Sequence, residues 1–481
     1  MYTSNSIVFF EAVVRSKSNR SMFSENEFIK ADDLDEFMPS EGRASNAANE
    51  LQKMGFRVRH IGTFSISAEG PRELWEKTFS TKVEVKKQLI SEAHPDIGEV
   101  SFLSHVPDVS FEIPAALSDF IDRAYPQRPP ILFESPLPPR VKYHHLRVPD
   151  DVATVLKASK VHKTGIMGSG VLVAMPDTGF YKHPFYSWHG YSYNATLSPD
   201  ATKIESDEYG HGTAEAANIF ANAPKIDFMG VKMGNNTVLG FKTASDLHPG
   251  VITCSWGYSI KNAPLPNYLK PLEAAVIEAV KKRGITVCFS AGNGHYGFPA
   301  QMPEVIAVGG VYSHENMANG EFKLEASDYS SSFDSQIYPG RHVPDVCGLV
   351  GMLPRAIYIM LPVEPGDYID KQLSGASYPD KDETAKDDGW AVISGTSAAS
   401  PQIAGVCALL KEIEPALSPS LINSILKATA RDVKTGQSQQ GQPAGEGHDG
   451  ATGAGLVDAY AAYKIAKSIV PRDIFTIPAP R

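Results

Sequence analysis

The sequence predicts an α/β protein: a three-layer αβα domain with a mostly parallel sheet, preceded by a smaller α/β unit. Three observations predict it. From residue 170 onward, short continuous apolar runs recur, the pattern of strands buried on both faces. Amphipathic helical patterns lie between some of them, which favours right-handed crossovers in a parallel sheet. A cluster of prolines separates this region from an N-terminal part where strands and helices also alternate.

The N-terminal part covers residues 1–125. Ile7 to Val14 reads as a strand. Ser45 to Met54 reads as a helix, with Ala47, Ala48, Leu51 and Met54 at helical spacing. Phe56 to Arg59 and Phe64 to Ala68 read as strands. Pro71 suits the first turn of a helix reaching Phe79. Lys82 to Lys87 alternates apolar and charged residues, as an exposed strand does. The order strand, helix, strand, strand, helix, strand fits a ferredoxin-like sandwich. A further amphipathic helix is expected over Ala115 to Tyr125.

Residues 126–149 form the linker. Pro126, Pro129, Pro130, Pro136, Pro138 and Pro139 remove backbone donors and fix φ, so an extended chain is expected there, open to processing. Residues 150–481 form the second domain. Its strands are expected at Gly170 to Met175, Ile226 to Val231, Val251 to Cys254, Ile285 to Phe289 and Val305 to Val308. Leu272, Ala275, Val276, Ala279 and Val280 make one stripe of a helix within Asn267 to Arg283. Residues 433–453, rich in Gly and Gln, are expected to be a mobile loop.

Composition excludes several functions. The chain of 481 residues has a formal net charge of −10, so a general nucleic-acid binder, which needs a basic face, is not expected. The four cysteines, Cys254, Cys288, Cys347 and Cys407, form no CxxC pair, and buried free thiols in a reducing compartment are expected. The N-terminus has no basic stretch, and Glu11 interrupts its short apolar run, so it fails as a signal peptide. No stretch reaches the length of a membrane helix. A cytoplasmic protein without membrane or nucleic-acid partners is expected.

Three motifs carry chemistry. Asp177-Thr178-Gly179 follows a buried strand, at the carboxyl end where open sheets bind ligands. Gly210-His211-Gly212-Thr213 precedes a run of small residues, so His211 would sit at a helix N-terminus. Gly395-Thr396-Ser397-Ala398-Ala399-Ser400-Pro401 opens an apolar helix, with Ser397 at its positive end. Singly, each reads as easily as a turn, a flexible loop or a helix cap. Together they supply what acyl transfer needs: an alcohol, a base and a carboxylate to hold the base in one tautomer. Asn293, in Ser290-Ala291-Gly292-Asn293 at a strand end, adds an amide that can donate to a developing oxyanion, worth about 3–4 kcal/mol in the transition state.

These motifs, with Thr164-Gly165, His183-Pro184, Ser255-Trp256-Gly257 and Thr452-Gly453-Ala454-Gly455-Leu456-Val457-Asp458-Ala459, resemble the subtilases, the subtilisin-like serine proteases, over residues 150–465. The resemblance implies a subtilisin-like fold and a serine endopeptidase acting on protein or peptide substrates. It implies Asp177 as orienting carboxylate, His211 as general base and acid, and Ser397 as nucleophile. Asn293 and the Ser397 N–H would form the oxyanion hole. Ser255, Trp256 and Gly257 would pair with the substrate backbone, and Gly292 with Asn293 would border the first specificity pocket. A peptide acyltransferase or macrocyclase on the same scaffold is the alternative.

Some features depart from the family. After Thr213 its members usually have His-Val-Ala-Gly, whereas this chain has Ala214-Glu215-Ala216-Ala217. The segment between His211 and Ser255 is short. Residues 350–390, with Asp382, Glu383, Asp387 and Asp388, form an insertion expected to be a solvated surface loop. No cofactor is implied. A structural Ca²⁺ is compatible with the acidic residues there and at Glu205, Asp207 and Glu208, but no ligand spacing assigns a metal site. Residues 45–85 and Ile113 to Pro129 are similar to the propeptide of the sedolisin proteases. That implies a chaperone and intramolecular inhibitor whose tail passes through the active site, in a chain made as a zymogen. Sedolisins differ in pairing Glu with Asp as the base and in placing Asp at the oxyanion position; His211 and Asn293 favour the subtilase pattern.

Overall fold

The computed structural model describes residues 6–24, 29–89, 99–106, 109–132, 144–318, 321–353, 357–375 and 381–469. The N-terminal unit contains β1 (Ile7–Val14), α1 (Arg43–Lys53), β2 (Arg57–Ile61), β3 (Ser65–Pro71), α2 (Arg72–Thr78), β4 (Val83–Leu89), β5 (Glu99–His105) and β6 (Ile121–Pro126). Its sheet runs β2-β3-β1-β6, with antiparallel neighbours throughout. This is the ferredoxin-like order, but two elements differ from expectation. The fourth strand is β6, and the segment Lys82–Lys87 instead pairs with β5 in a separate ribbon. The helix expected over Ala115–Tyr125 is a turn followed by β6. Leu117, Ile121 and Ala124 are all buried, and their spacing suits a helix. The open edge of β1 decides otherwise, because pairing from Phe10↔Pro126 to Val14↔Ile121 satisfies backbone groups that a helix would leave unpaired.

Strand β1 is apolar except at Glu11, and both its faces are covered from Val8 onward. Val8, Phe10, Ala12 and Val14 join Phe56, Trp75 and Phe79 under α1 and α2. Val13 points the other way, into a core shared with the second domain.

After β6 come β7 (Ile131–Leu132), β8 (Leu146–Arg147), α3 (Asp150–Val155) and α4 (Ala158–His162). The main elements then follow: β9 (Leu172–Asp177), α5 (Pro184–Trp188), β10 (Ser192–Leu197), α6 (His211–Asn222), β11 (Asp227–Lys232), α7 (Thr237–Asp246), β12 (Val251–Cys254), β13 (Trp256–Ser259), α8 (Lys270–Lys281), β14 (Thr286–Ser290), β15 (Gly297–Phe298), β16 (Ile306–Ala318) and β17 (Glu321–Ala326). The short pair β18 (Phe333–Asp334) and β19 (His342–Val343) leads to β20 (Val346–Leu349). Last are β21 (Ile359–Pro362), α9 (Tyr368–Leu373), β22 (Trp390–Ile393), α10 (Thr396–Ile413), α11 (Pro419–Thr429) and α12 (Ala459–Ile469).

The large sheet runs β10-β11-β9-β12-β14-β16-β17, with β20 also on β16. Every pair in it is parallel except β16 with β17. Helices α6 and α10 cover one face, and α7 and α8 the other. The chain order reverses beside β9, and that switch point, at the carboxyl end of the strand, is where open α/β sheets place their chemistry. Asp177 is its last residue.

The insertion is not a plain surface loop. Its β21 pairs with β22 and with β8, and Ile357, Tyr358, Ile359, Leu361, Val363, Ile369 and Leu373 are buried. Asp382 is buried too, accepting from the amides of Thr384 and Val392 at 3.0 and 2.9 Å. The continuous apolar run around Ile359 lets this segment form a three-stranded sheet, β22-β21-β8, instead of staying solvated. Residues 433–453 are irregular but tied down: Gln440 donates to the Gly294 carbonyl at 2.9 Å and accepts from Ser332 N–H at 2.8 Å.

Candidate active site

The Asp, His and Ser motifs meet at the switch point. Asp177 ends β9, and His211 opens α6. His211 Nδ1 lies 2.6 Å from Asp177 Oδ1, and both side chains are buried. Two glycines make this approach possible. A side chain at Gly212 would strike the Gly179 carbonyl, and Gly210 has φ of +96°, with the Asp367 carboxylate where its Cβ would lie.

Ser397 lies in the first turn of α10, where N–H groups have no intrahelical acceptor. Its Oγ donates to the Ser255 carbonyl at 3.1 Å, and Ser255 Oγ donates back to the Ser397 carbonyl at 2.8 Å. The second bond follows from Pro401. Four residues after Ser397, proline has no N–H to give that carbonyl, and Ser255 supplies the donor. The pair locks the serine motif to the end of β12.

Asn293 is held by its oxygen. Thr396 N and Oγ1 donate to Asn293 Oδ1 at 2.9 and 3.1 Å, and Gly292 N donates to Thr396 Oγ1 at 3.1 Å. These donors decide which end of the amide is which, leaving the nitrogen as the end that can donate onward. Trp256 is buried and donates from Nε1 to the Pro176 carbonyl at 2.8 Å, tying β13 to the end of β9. The eight residues singled out in the sequence, Asp177, His211, Ser255, Trp256, Gly257, Gly292, Asn293 and Ser397, therefore fall at linked strand and helix ends around one point.

Strand β13 is occupied by the chain itself. β7 pairs with it antiparallel, Ile131 opposite Gly257 and Leu132 opposite Trp256. β15 pairs with it farther along, Tyr258 opposite Phe298. The stretch between β6 and β7 is anchored as well. Tyr258 Oη donates to the Arg128 carbonyl at 3.1 Å, and the Arg128 guanidinium lies 4.1 Å from the centre of the Tyr268 ring.

Sequence reasoning did not assign Asp207 to the site. Its carboxylate accepts from Thr178 Oγ1, Thr213 N and Thr213 Oγ1, each at 2.8 Å. Its position four residues before His211 was the available signal. Glu205 and Glu208, grouped with it as acidic residues, face lysines instead: Lys182 at 2.7 Å, and Lys232 and Lys203 at 2.7 and 3.2 Å. Among the described residues no cluster of His, Cys, Asp and Glu is arranged to hold a metal ion, and no helix is long and apolar enough to cross a membrane. All four cysteines are buried and free.

Comparison with known proteins agrees with this architecture. The model of the subtilase family matches residues 168–455. Subtilisin Savinase of Lederbergia lenta is 28% identical over 320 residues, covering 64% of this chain and 96% of that protein. M-protease of Shouchella clausii (strain KSM-K16) is 28% identical over 320 residues, covering 64% of this chain and 68% of its own. Fervidolysin from Fervidobacterium pennivorans, a keratinolytic enzyme related to subtilisin, superposes with a TM-score of 0.56 at 18% identity. That match takes in 96% of this chain but 61% of the fervidolysin chain, and it speaks to the fold alone. With a family match running from the Asp strand to the closing segment, the chain belongs to the subtilase family, the subtilisin-like serine proteases.

Proposed function

We propose that the chain is a serine endopeptidase in which Ser397 attacks the peptide carbonyl, His211 takes its proton and Asp177 holds the imidazole. The observation that carries the reading is the 2.6 Å contact between His211 Nδ1 and Asp177 Oδ1. It fixes Nδ1–H as a donor to the carboxylate and leaves Nε2 as the basic nitrogen. The proton taken from Ser397 then passes to the leaving amine, and water repeats the sequence on the acyl-enzyme. The Asn293 amide nitrogen and the Ser397 N–H receive the oxyanion. A fluorophosphonate probe tests this. It is expected to label Ser397, and Ser397→Ala is expected to lose labelling and peptide hydrolysis together. Absence of labelling in chain freed of residues 1–125 would refute the reading.

We propose further that residues 1–125 inhibit the enzyme in the same chain. The antiparallel pairing of β7 on β13 supports this, because an extended segment added to that edge stands where a substrate strand would. The full chain is then expected to hydrolyse an added peptide more slowly than a chain beginning near residue 140. Equal rates would refute inhibition.

A further inference from the structure

The mechanism leaves unexplained how the turn that delivers His211 is held. That turn, residues 207–210, reaches the sheet through side chains, Glu208 to Lys232 at the end of β11 and Asp207 to Thr178 beside β9. Its backbone lies against residues 364–370 of the insertion. Asp207 N–H donates to the Glu364 carboxylate. Tyr368 N–H donates to the Glu208 carbonyl at 3.1 Å, and Ile369 N–H to the Tyr209 carbonyl at 3.2 Å. The Tyr368 ring stacks on Tyr209 at 5.1 Å. Asp367 fills the space that a side chain at Gly210 would need. Each of the four residues before His211 therefore touches the same short segment.

The support continues to the reacting groups. The Asp207 carboxylate joins Thr178, next to Asp177, to Thr213, two residues beyond His211. Thr178 Oγ1 also accepts from Gly212 N–H at 3.1 Å, and Thr213 Oγ1 from Tyr181 N–H at 2.9 Å. One buried carboxylate thus spans the strand end carrying the acid and the helix start carrying the base.

We infer that residues 364–370 are a brace for the general base, with Glu364 and Asp207 as positioning residues that keep His211 in register with Asp177. The inference rests on the proposed peptidase reading. The brace contacts the turn just before the base, and none of these contacts involves the β13 edge, so its loss changes the chemical step more than substrate binding.

The test uses the full chain, incubated until its hydrolysis of an added peptide reaches a constant rate. Glu364→Ala removes the acceptor for Asp207 N–H, whereas Glu364→Gln keeps an oxygen there. Hydrolysis of a peptide substrate is measured together with the low-field proton NMR resonance of an imidazole Nδ1–H bonded to a carboxylate. Glu364→Ala is expected to lower kcat roughly 10–100-fold, as misplacement of a catalytic group does, and to weaken the low-field resonance. KM is expected to stay within about two-fold. Glu364→Gln is expected to restore both readouts. If Glu364→Ala does not fold, Tyr368→Leu removes the stacked ring instead and is expected to shift the same two readouts in the same direction. A folded Glu364→Ala chain with unchanged kcat and resonance would overturn the brace. A wild-type chain that shows the resonance but hydrolyses nothing would overturn the peptidase reading, and the resonance would still report on the brace.

Discussion

Lys242 Nζ lies 3.0 Å from Glu11 Oε2, across the interface between β1 of the N-terminal unit and α7 of the catalytic domain. Glu11 is fully buried, and Ser65 Oγ and Asn236 Nδ2 also donate to it, at 2.7 and 3.1 Å. Burial pushes its carboxyl up, but Lys242 and the hydroxyls of Ser67 and Ser65 outweigh burial and hold it below the usual range. Removing one partner of such a pair costs roughly 3–5 kcal/mol, because the other charge is stranded, whereas replacing both can be nearly neutral. Glu11→Gln is therefore expected to raise the early peptidase activity of the full chain, and adding Lys242→Met is expected to restore inhibition. Progress curves of the two variants check this. A carboxyl lowered in the docked state stabilises docking above its ordinary range and loses that contribution as pH falls through the lowered value. Acid is expected to loosen the unit, and the double variant to lack that part of the response.

Asn293 Oδ1 is held by Thr396, and its amide nitrogen is the proposed oxyanion donor. Asn293→Asp keeps the oxygen that Thr396 needs but turns a carboxylate toward the developing oxyanion. A fall in kcat of about 10²–10³-fold with little change in KM is expected. Steady-state kinetics on a chromogenic peptide measures it, and an unchanged kcat would remove Asn293 from the oxyanion hole.

If the chain processes itself, the register of β7 predicts the first cut. Ile131 faces Gly257 and Leu132 faces Trp256. The next residue back along the chain from Trp256 is Ser255, whose carbonyl holds Ser397 Oγ. A substrate strand in this register would place the residue after Leu132 opposite Ser255, so cleavage between Phe133 and Glu134 is the expected outcome. Terminal sequencing of freshly purified protein should read Glu-Ser-Pro. A first cut upstream of Leu132 would show that the tail is not read in this register.

Asp367 makes stability fall as pH rises. Burial, with Asp207 and Asp370 nearby, raises its carboxyl to about 8, against the pull of the Asp370 amide it caps. A folded-state value above the unfolded one gives stability that is fully present below the unfolded range and lost as pH rises through the folded value. The wild type is expected to lose melting temperature between about pH 4 and 8. Asp367→Asn, which keeps the acceptor for Asp370 N–H, is expected to flatten that decline in a thermal melt series.

That the Asp177, His211 and Ser397 motifs come together was legible in the sequence because local geometry dictates their neighbours. Gly212 must be small to meet Gly179, and Pro401 leaves a carbonyl that needs Ser255. Strand β6 was not legible, since Leu117, Ile121 and Ala124 satisfy a helix as well as a strand, and only the open edge of β1 chooses. The brace was not legible either. Glu364 and Asp207 are far apart in sequence, and nothing local to an acidic residue says whether it meets water, a cation or a backbone amide.

Between β6 and β7 lie only Gln127 to Pro130, two of them prolines. One arm of this connection is fastened into the N-terminal sheet and the other onto β13. The pair therefore behaves as a bivalent ligand with a short, stiff tether, whose effective concentration is on the order of millimolar. Severing the chain beyond Leu132 releases neither arm, and dilution does little to separate them. Competing peptide would have to reach comparable concentrations to displace the tail. If the unit inhibits as proposed, activity is expected to await its unfolding and destruction, and the lifetime of that small fold to set the delay before turnover.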